Sequence, residues 1–178
     1  METVRAGAPP RPLLTEDQVR IRVRELAEEI GRDHGDLEEL VCLGILKGSV
    51  FFLVDLVREL RVPVAVDFFQ TSSYGSSTSP GEVLIKKDVD LSLRGRDVLL
   101  VEDIVDTGHT LNTILAILRL RRPRSLKLCT LLDKPSRREA EVPIDYVGFT
   151  IEDRFVVGYG LDHDERWRNL PYVGIVEV

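Results

Sequence analysis

No run of apolar residues in this 178-residue chain approaches the ~20 needed to cross a bilayer as a helix. Its opening, METVRAGAPPRPLL, has no apolar segment of signal-peptide length. A cytoplasmic protein without a membrane partner is therefore expected. Basic charge is also short: 24 Lys and Arg face 30 Asp and Glu, for a formal net charge of -6. A broad phosphate-backbone footprint needs a basic face, so nucleic acid is not expected as a partner, although a small basic pocket remains open. Cysteine is scarce. Cys42 and Cys129 both sit inside apolar runs, ELVCLGIL and SLKLCTLL, where buried reduced thiols are expected rather than a disulfide or a metal site. Neither a GxxxxGK[ST] nor a GxGxxG phosphate loop is present, which removes the two commonest nucleotide-binding signatures.

What is present fits one domain, 1–178, able to bury roughly 70 % of its unfolded surface without staples. Residues 1–13 or so, rich in Pro, Gly and Ala, read as a loose lead-in. Thr15 with Gln18 makes a capping-box pattern. Val19, Val23, Leu26 and Ile30 then recur at helical spacing, with Gly31 as the stop. Leu40–Ile45 is an unbroken apolar run, as in a strand buried on both faces, and Phe52 to Leu60 resumes a helical period. Strands follow at 62–69, 82–87 and 98–101, then a helix carrying Leu111, Ile114, Leu115 and Leu118. Further strands are expected at 126–132, 146–149 and 155–158, and an apolar run closes the chain at 172–178. Strands alternating with helices predict an α/β fold with a mainly parallel twisted sheet, whose ligands bind beyond the carboxyl ends of the strands.

At such an end lies VLLVEDIVDTGHTL. An apolar strand runs into Glu102, Asp103 and Asp106, then into Thr107, Gly108, His109 and Thr110, a polar turn opening a helix. Helix N-termini attract anions, whereas carboxylates repel them. A ligand with two chemically different ends removes the contradiction. In a ribose 5-phosphate, the phosphate takes the amides and the hydroxyls donate to the acids. An ordinary helix cap formed by Asp106 or Thr107 is the plainer reading of the turn.

The stretch resembles the phosphoribosyl-diphosphate motif of type I phosphoribosyltransferases. From about Leu40 onward the chain is similar to the hypoxanthine-guanine branch of that family, through LKGS (46–49), SSYGSST (72–78), LLDKPSRR (131–138) and FVVGYGLDHDERWRNLPYVG (155–174). The resemblance implies the family fold with a small hood built from the terminal segments. It implies transfer of phosphoribosyl from its diphosphate to a 6-oxopurine in a Mg²⁺-dependent reaction, by a homodimer or homotetramer. By the same resemblance, Glu102 and Asp103 hold the ribose hydroxyls and Asp106 faces the purine as general base. Residues Asp106 to Thr110 take the 5′-phosphate, while Lys47, Gly48 and Arg168 meet pyrophosphate, with a cis peptide implied at Lys47–Gly48.

Lys134 is implied to donate to the exocyclic oxygen of the base, which an ammonium suits because it cannot accept. Phe155, Val156 and Asp162 complete the purine subsite. Asp162 doubles as the Mg²⁺ ligand, with Glu102 and Asp103 as further oxygen donors. Several plainer readings stand beside these. Phe155 could be core, Lys47 a surface lysine and His109 a solvent-facing residue, while Asp164, Glu165 and Arg166 read as a solvated face. Residues 71–81 are either a plain surface loop or a mobile active-site lid carrying Ser73 and Tyr74. The competing function is a nucleotide-sensing regulator on the same fold.

Overall fold

The computed structural model of the chain describes residues 9–73 and 83–176. In chain order the elements are β1 (Arg11–Leu14), α1 (Glu16–His34), β2 (Leu40–Leu46), α2 (Val50–Glu59), β3 (Val64–Ser73), β4 (Val83–Lys87), β5 (Asp97–Val105), α3 (His109–Leu120), β6 (Ser125–Asp133), β7 (Tyr146–Thr150), β8 (Val156–Val157) and β9 (Val173–Ile175). The main sheet has the order β4-β3-β2-β5-β6-β7. All its pairings are parallel except that of β4, which runs antiparallel at one edge.

The two-residue period of the strands decides which helix covers which face. Leu40 and Cys42 of β2, with Leu99 and Val101 of β5, pack with Leu26 and Ile30 of α1 and Phe52 and Leu56 of α2. The alternate residues Val41, Leu43, Val98 and Leu100 pack with Ile114 and Leu118 of α3 on the opposite face. This double burial is why β2 and the start of β5 are continuously apolar. Cys42 and Cys129 are buried and unpaired, and burial pushes the Cys42 thiol up to about 12.

Two local expectations are corrected. The expected loose lead-in is ordered at its end: β1 pairs antiparallel with β9, and β9 with β8, making a second, three-stranded sheet. This sheet forms the small hood. Nor does Gly31 stop the first helix, which continues to His34. A single glycine inside a helix costs only about 1 kcal/mol relative to alanine, and Ile30 and His34 on either side of it are buried. The capping box of Thr15 and Gln18 forms as expected.

His34 lies 7 % exposed with its Nε2 unpartnered. Burial lowers its pKa first, and the Lys127 ammonium lowers it further, against weaker opposite effects of Asp33, Asp97 and Asp145. A depressed folded-state value means that the associated stability is present above the unfolded-state pKa of about 6.5 and is lost as pH falls through the folded value. Urea midpoints measured from pH 7.5 down to pH 5 are therefore expected to fall less steeply in His34→Gln than in the wild type.

Candidate active site

Side chains on β5 continue the alternation to the carboxyl end of the strand. Glu102 follows Val98 and Leu100 onto the α3 side, where it lines a cleft of about 220 Å³ with Asp106, Thr107, Gly108 and Thr110. Asp103 follows Leu99 and Val101 onto the other side and meets the β2–α2 turn. A Cβ placed on Gly48 would fall 1.6 Å from Asp103 Oδ2. The Asp103 carboxylate also accepts from the Ile104 amide at 2.8 Å.

The two carboxyl groups remain near enough to interact. Glu102 is partly accessible through the cleft, yet its carboxyl group is crowded by protein atoms. This desolvation, followed by the charge of Asp103, raises its pKa well above the ordinary carboxylate range. Hydroxyl or cationic partners from a ligand would offset the cost of holding these two acids together.

The turn after β5 provides the opposite chemistry. Gly108 is the N-cap of α3 at φ +90°, a conformation that glycine adopts without penalty, and no side chain caps the helix. Neither Asp106 nor Thr107 performs the capping role that the plainer reading gave them. The first-turn amides border the cleft without a side-chain cap, the setting in which helix N-termini in general receive anions. A Cβ on Gly108 would also strike Ala140 O at 2.6 Å, because the 138–142 segment packs directly over the turn. The Glu139 and Ala140 amides both donate to Thr107 O at 3.0 Å. His109 is largely exposed and lies 2.9 Å from Glu139 Oε2 through its Nε2.

Beyond the cleft, Lys134 directly follows β6 with only 7 % exposure, and its ammonium lies 3.7 Å from Asp153 Oδ1. Phe155 is not core: it is 44 % exposed and meets His163 edge-to-face at 5.1 Å between ring centres. Val156 is buried and pairs with Ile175 in the hood.

On the other flank, the peptide before Lys47, Leu46–Lys47, is cis, one bond earlier than the resemblance implied. Lys47 Nζ reaches Glu165 Oε1 at 2.9 Å. Arg168 pairs with Asp162 at 2.7 Å and with Glu165 at 3.2 Å. Ser73 ends β3, while Tyr74 and the rest of the expected lid lie outside the described residues. A larger cavity of about 510 Å³ lies between α1, α2 and the hood, away from the acids of β5.

Three participants escaped the reading of the sequence. Arg137 Nε lies 3.1 Å from Asp106 Oδ1, an otherwise enclosed atom. Asp153 sits between Lys134 and Arg137, at 3.7 and 3.5 Å. Glu165, expected on a solvated face, binds two cations. Arg137 and Glu165 left a signal, their places in LLDKPSRR and FVVGYGLDHDERWRNLPYVG, whereas Asp153 left none.

The carboxyl edge of the parallel sheet thus carries Glu102 and an uncapped helix N-terminus in one cleft, with Asp103 turned to the neighbouring β2–α2 turn, the arrangement of a sugar-phosphate-binding α/β protein. A profile of the phosphoribosyl transferase domain matches residues 13–164, and the chain belongs to that family. Hypoxanthine phosphoribosyltransferase of Salmonella typhimurium is 52 % identical over 166 residues, spanning 92 % of this chain and 93 % of the relative. The crystal structure of a hypoxanthine-guanine phosphoribosyltransferase from Bacillus anthracis superposes with a TM-score of 0.90 at 44 % identity, covering 93 % of this chain and 98 % of the other. Hypoxanthine phosphoribosyl transferase of Trypanosoma cruzi gives 0.92 at 40 % identity, covering 97 % and 94 %.

A raised folded-state pKa at Glu102 means that its stability contribution is full in acid and lost as pH rises through that value. Glu102→Gln is therefore expected to raise the urea midpoint at pH 8 and to raise it less at pH 5. A uniform shift, or none, would contradict the desolvated pair.

Proposed function

We propose that this protein converts hypoxanthine, guanine or both, with phosphoribosyl diphosphate, into the nucleoside 5′-monophosphate and pyrophosphate. The observation that carries the reading is the uncapped N-terminus of α3 sharing one cleft with Glu102, since a ligand with an anionic end and a hydroxylated end satisfies both. The 5′-phosphate lies against residues Asp106 to Thr110, and the ribose hydroxyls donate to Glu102 and Asp103. At about 220 Å³ the cleft is below the ~300 Å³ lower bound usual for drug-sized ligands, which suits a sugar phosphate with its base outside.

The base sits between Lys134 and Phe155. Lys134 has three donors and, among the described residues, only the long contact to Asp153, leaving it free to donate to a 6-oxo group. An exocyclic amine at that position would face a donor with a donor, so adenine is rejected. In the reaction a purine nitrogen bonds to C1′ as the bond from C1′ to the diphosphate oxygen breaks, and the bonding pair leaves with pyrophosphate. Asp106 accepts the proton the purine gives up, its carboxylate oriented by Arg137. Lys47, the Gly48 backbone and Arg168 receive the pyrophosphate.

The donors Asp162, Glu102 and Asp103 are carboxylates, the hard oxygen type that Mg²⁺ prefers. Among the described residues no group of three or more ligating side chains is placed to hold a metal alone. Asp162, with Glu102 and Asp103, would hold Mg²⁺, which would supply neutralising charge to the leaving pyrophosphate. Ser73 and Tyr74 belong to a lid that excludes water from the cation-like centre. Exposed Phe51 and Val54 on α2 support assembly into a homodimer or homotetramer. Two buried free thiols support the cytoplasm.

Isotopic conversion of hypoxanthine, guanine, xanthine and adenine, each with phosphoribosyl diphosphate and Mg²⁺, tests the proposal. Hypoxanthine or guanine should turn over rapidly and adenine should not. Asp106→Asn should lose at least ~100-fold, the lower end for general acid-base work. Turnover of no oxopurine at all would defeat the enzyme and favour the nucleotide-sensing regulator.

A further inference from the structure

Glu165 belongs to the hood loop between β8 and β9, yet it pairs across the chain. Its Oε1 lies 2.9 Å from Lys47 Nζ, and its Oε2 lies 3.2 Å from an Arg168 terminal nitrogen. Asp162 takes the same Arg168 nitrogen at 2.7 Å and accepts from the Glu165 amide at 2.8 Å. Arg168 also donates to Gly160 O at 2.8 Å. Two cations are thus matched by two carboxylates, and this corner of the site offers an incoming polyanion no net positive charge. The Glu165 side chain is 65 % exposed, so it can swing into solvent without breaking any buried packing.

We infer that Glu165 is a resident anion that occupies Lys47 and Arg168 and must be displaced by the pyrophosphate group of the substrate or product. The inference rests on the proposed pyrophosphate placement. Both contacts are solvent-exposed ion pairs, each a modest competitor, so the displacement lowers pyrophosphate affinity by a few-fold rather than by orders of magnitude. The gain is in release. As pyrophosphate departs, Glu165 closes on Lys47 and Arg168, so that neither cation is left unpaired.

The test is calorimetric titration of inorganic pyrophosphate, with magnesium in excess, into the wild type, Glu165→Gln and Asp164→Asn. Glu165→Gln keeps the shape and removes the charge, and about 3- to 10-fold tighter pyrophosphate binding is expected. Asp164 makes no ion pair among the described residues, so Asp164→Asn removes the same charge from the same loop and should change the affinity by less than about 2-fold. Unchanged or weaker binding in Glu165→Gln, or equal tightening in Asp164→Asn, overturns the inference. A parallel titration of the wild type with IMP separates the two levels of the argument. If IMP fails to bind, the proposed function falls. If IMP binds and Glu165→Gln does not tighten pyrophosphate, only the role of Glu165 falls.

Discussion

There is no room for a side chain at position 48 or at position 160. A Cβ on Gly48 would overlap the Asp103 carboxylate, and one on Gly160, at φ +104°, would fall 1.9 Å from Gly48 O. Three segments far apart in sequence therefore meet at Gly48: the hood loop approaches the turn after β2 backbone to backbone, and the end of β5 reaches the same turn through the Asp103 side chain. This contact seats the hood over the carboxyl edge of the sheet and brings Lys47, Asp103 and Arg168 to one place. Without it the sheet would still be covered by its helices, but the site would be open on one side.

Around this junction the charges are arranged by strand alternation. Glu102 faces the cleft beside α3, while Asp103 faces Gly48, so successive acids on one strand serve two neighbouring regions. The N-terminus of α3 gives the same cleft positive character without a single basic side chain. Beyond the cleft, the cations Lys134, Arg137 and Arg138 surround the end of β5. Arg138 donates to Asp106 O at 2.9 Å and pairs with Asp133. The cost of concentrating like charges at Glu102 is carried by a fold whose sheet is buried on both faces.

Much of this could be read from the chain. The unbroken apolar run of β2 and the start of β5 announced a doubly covered parallel sheet, because only such strands have no polar alternation. The motif from Glu102 to Thr110 announced its own chemistry, since its acids and its small polar turn contradict each other unless a ligand intervenes. Other features had no local signal. β1 is stabilised by pairing with β9, more than 150 residues away, and nothing in its four residues forecasts a partner. Gly31 resembled a stop because its neighbours' burial was not visible. Arg137, Asp153 and Glu165 act through ion pairs formed in the tertiary structure, and such pairs leave no periodicity to detect. The cis bond at Leu46–Lys47 lies one position from where the resemblance put it.

The central claim is that one pentose monophosphate is held at both poles by adjacent stretches of chain, amides at its phosphate and acids at its ring. A crystal structure of the protein with IMP tests this most directly. The account predicts the phosphate at the first turn of α3 and the two ribose hydroxyls within hydrogen-bonding distance of Glu102 and Asp103. A nucleotide seated elsewhere, with both carboxylates turned away from its sugar, would contradict it.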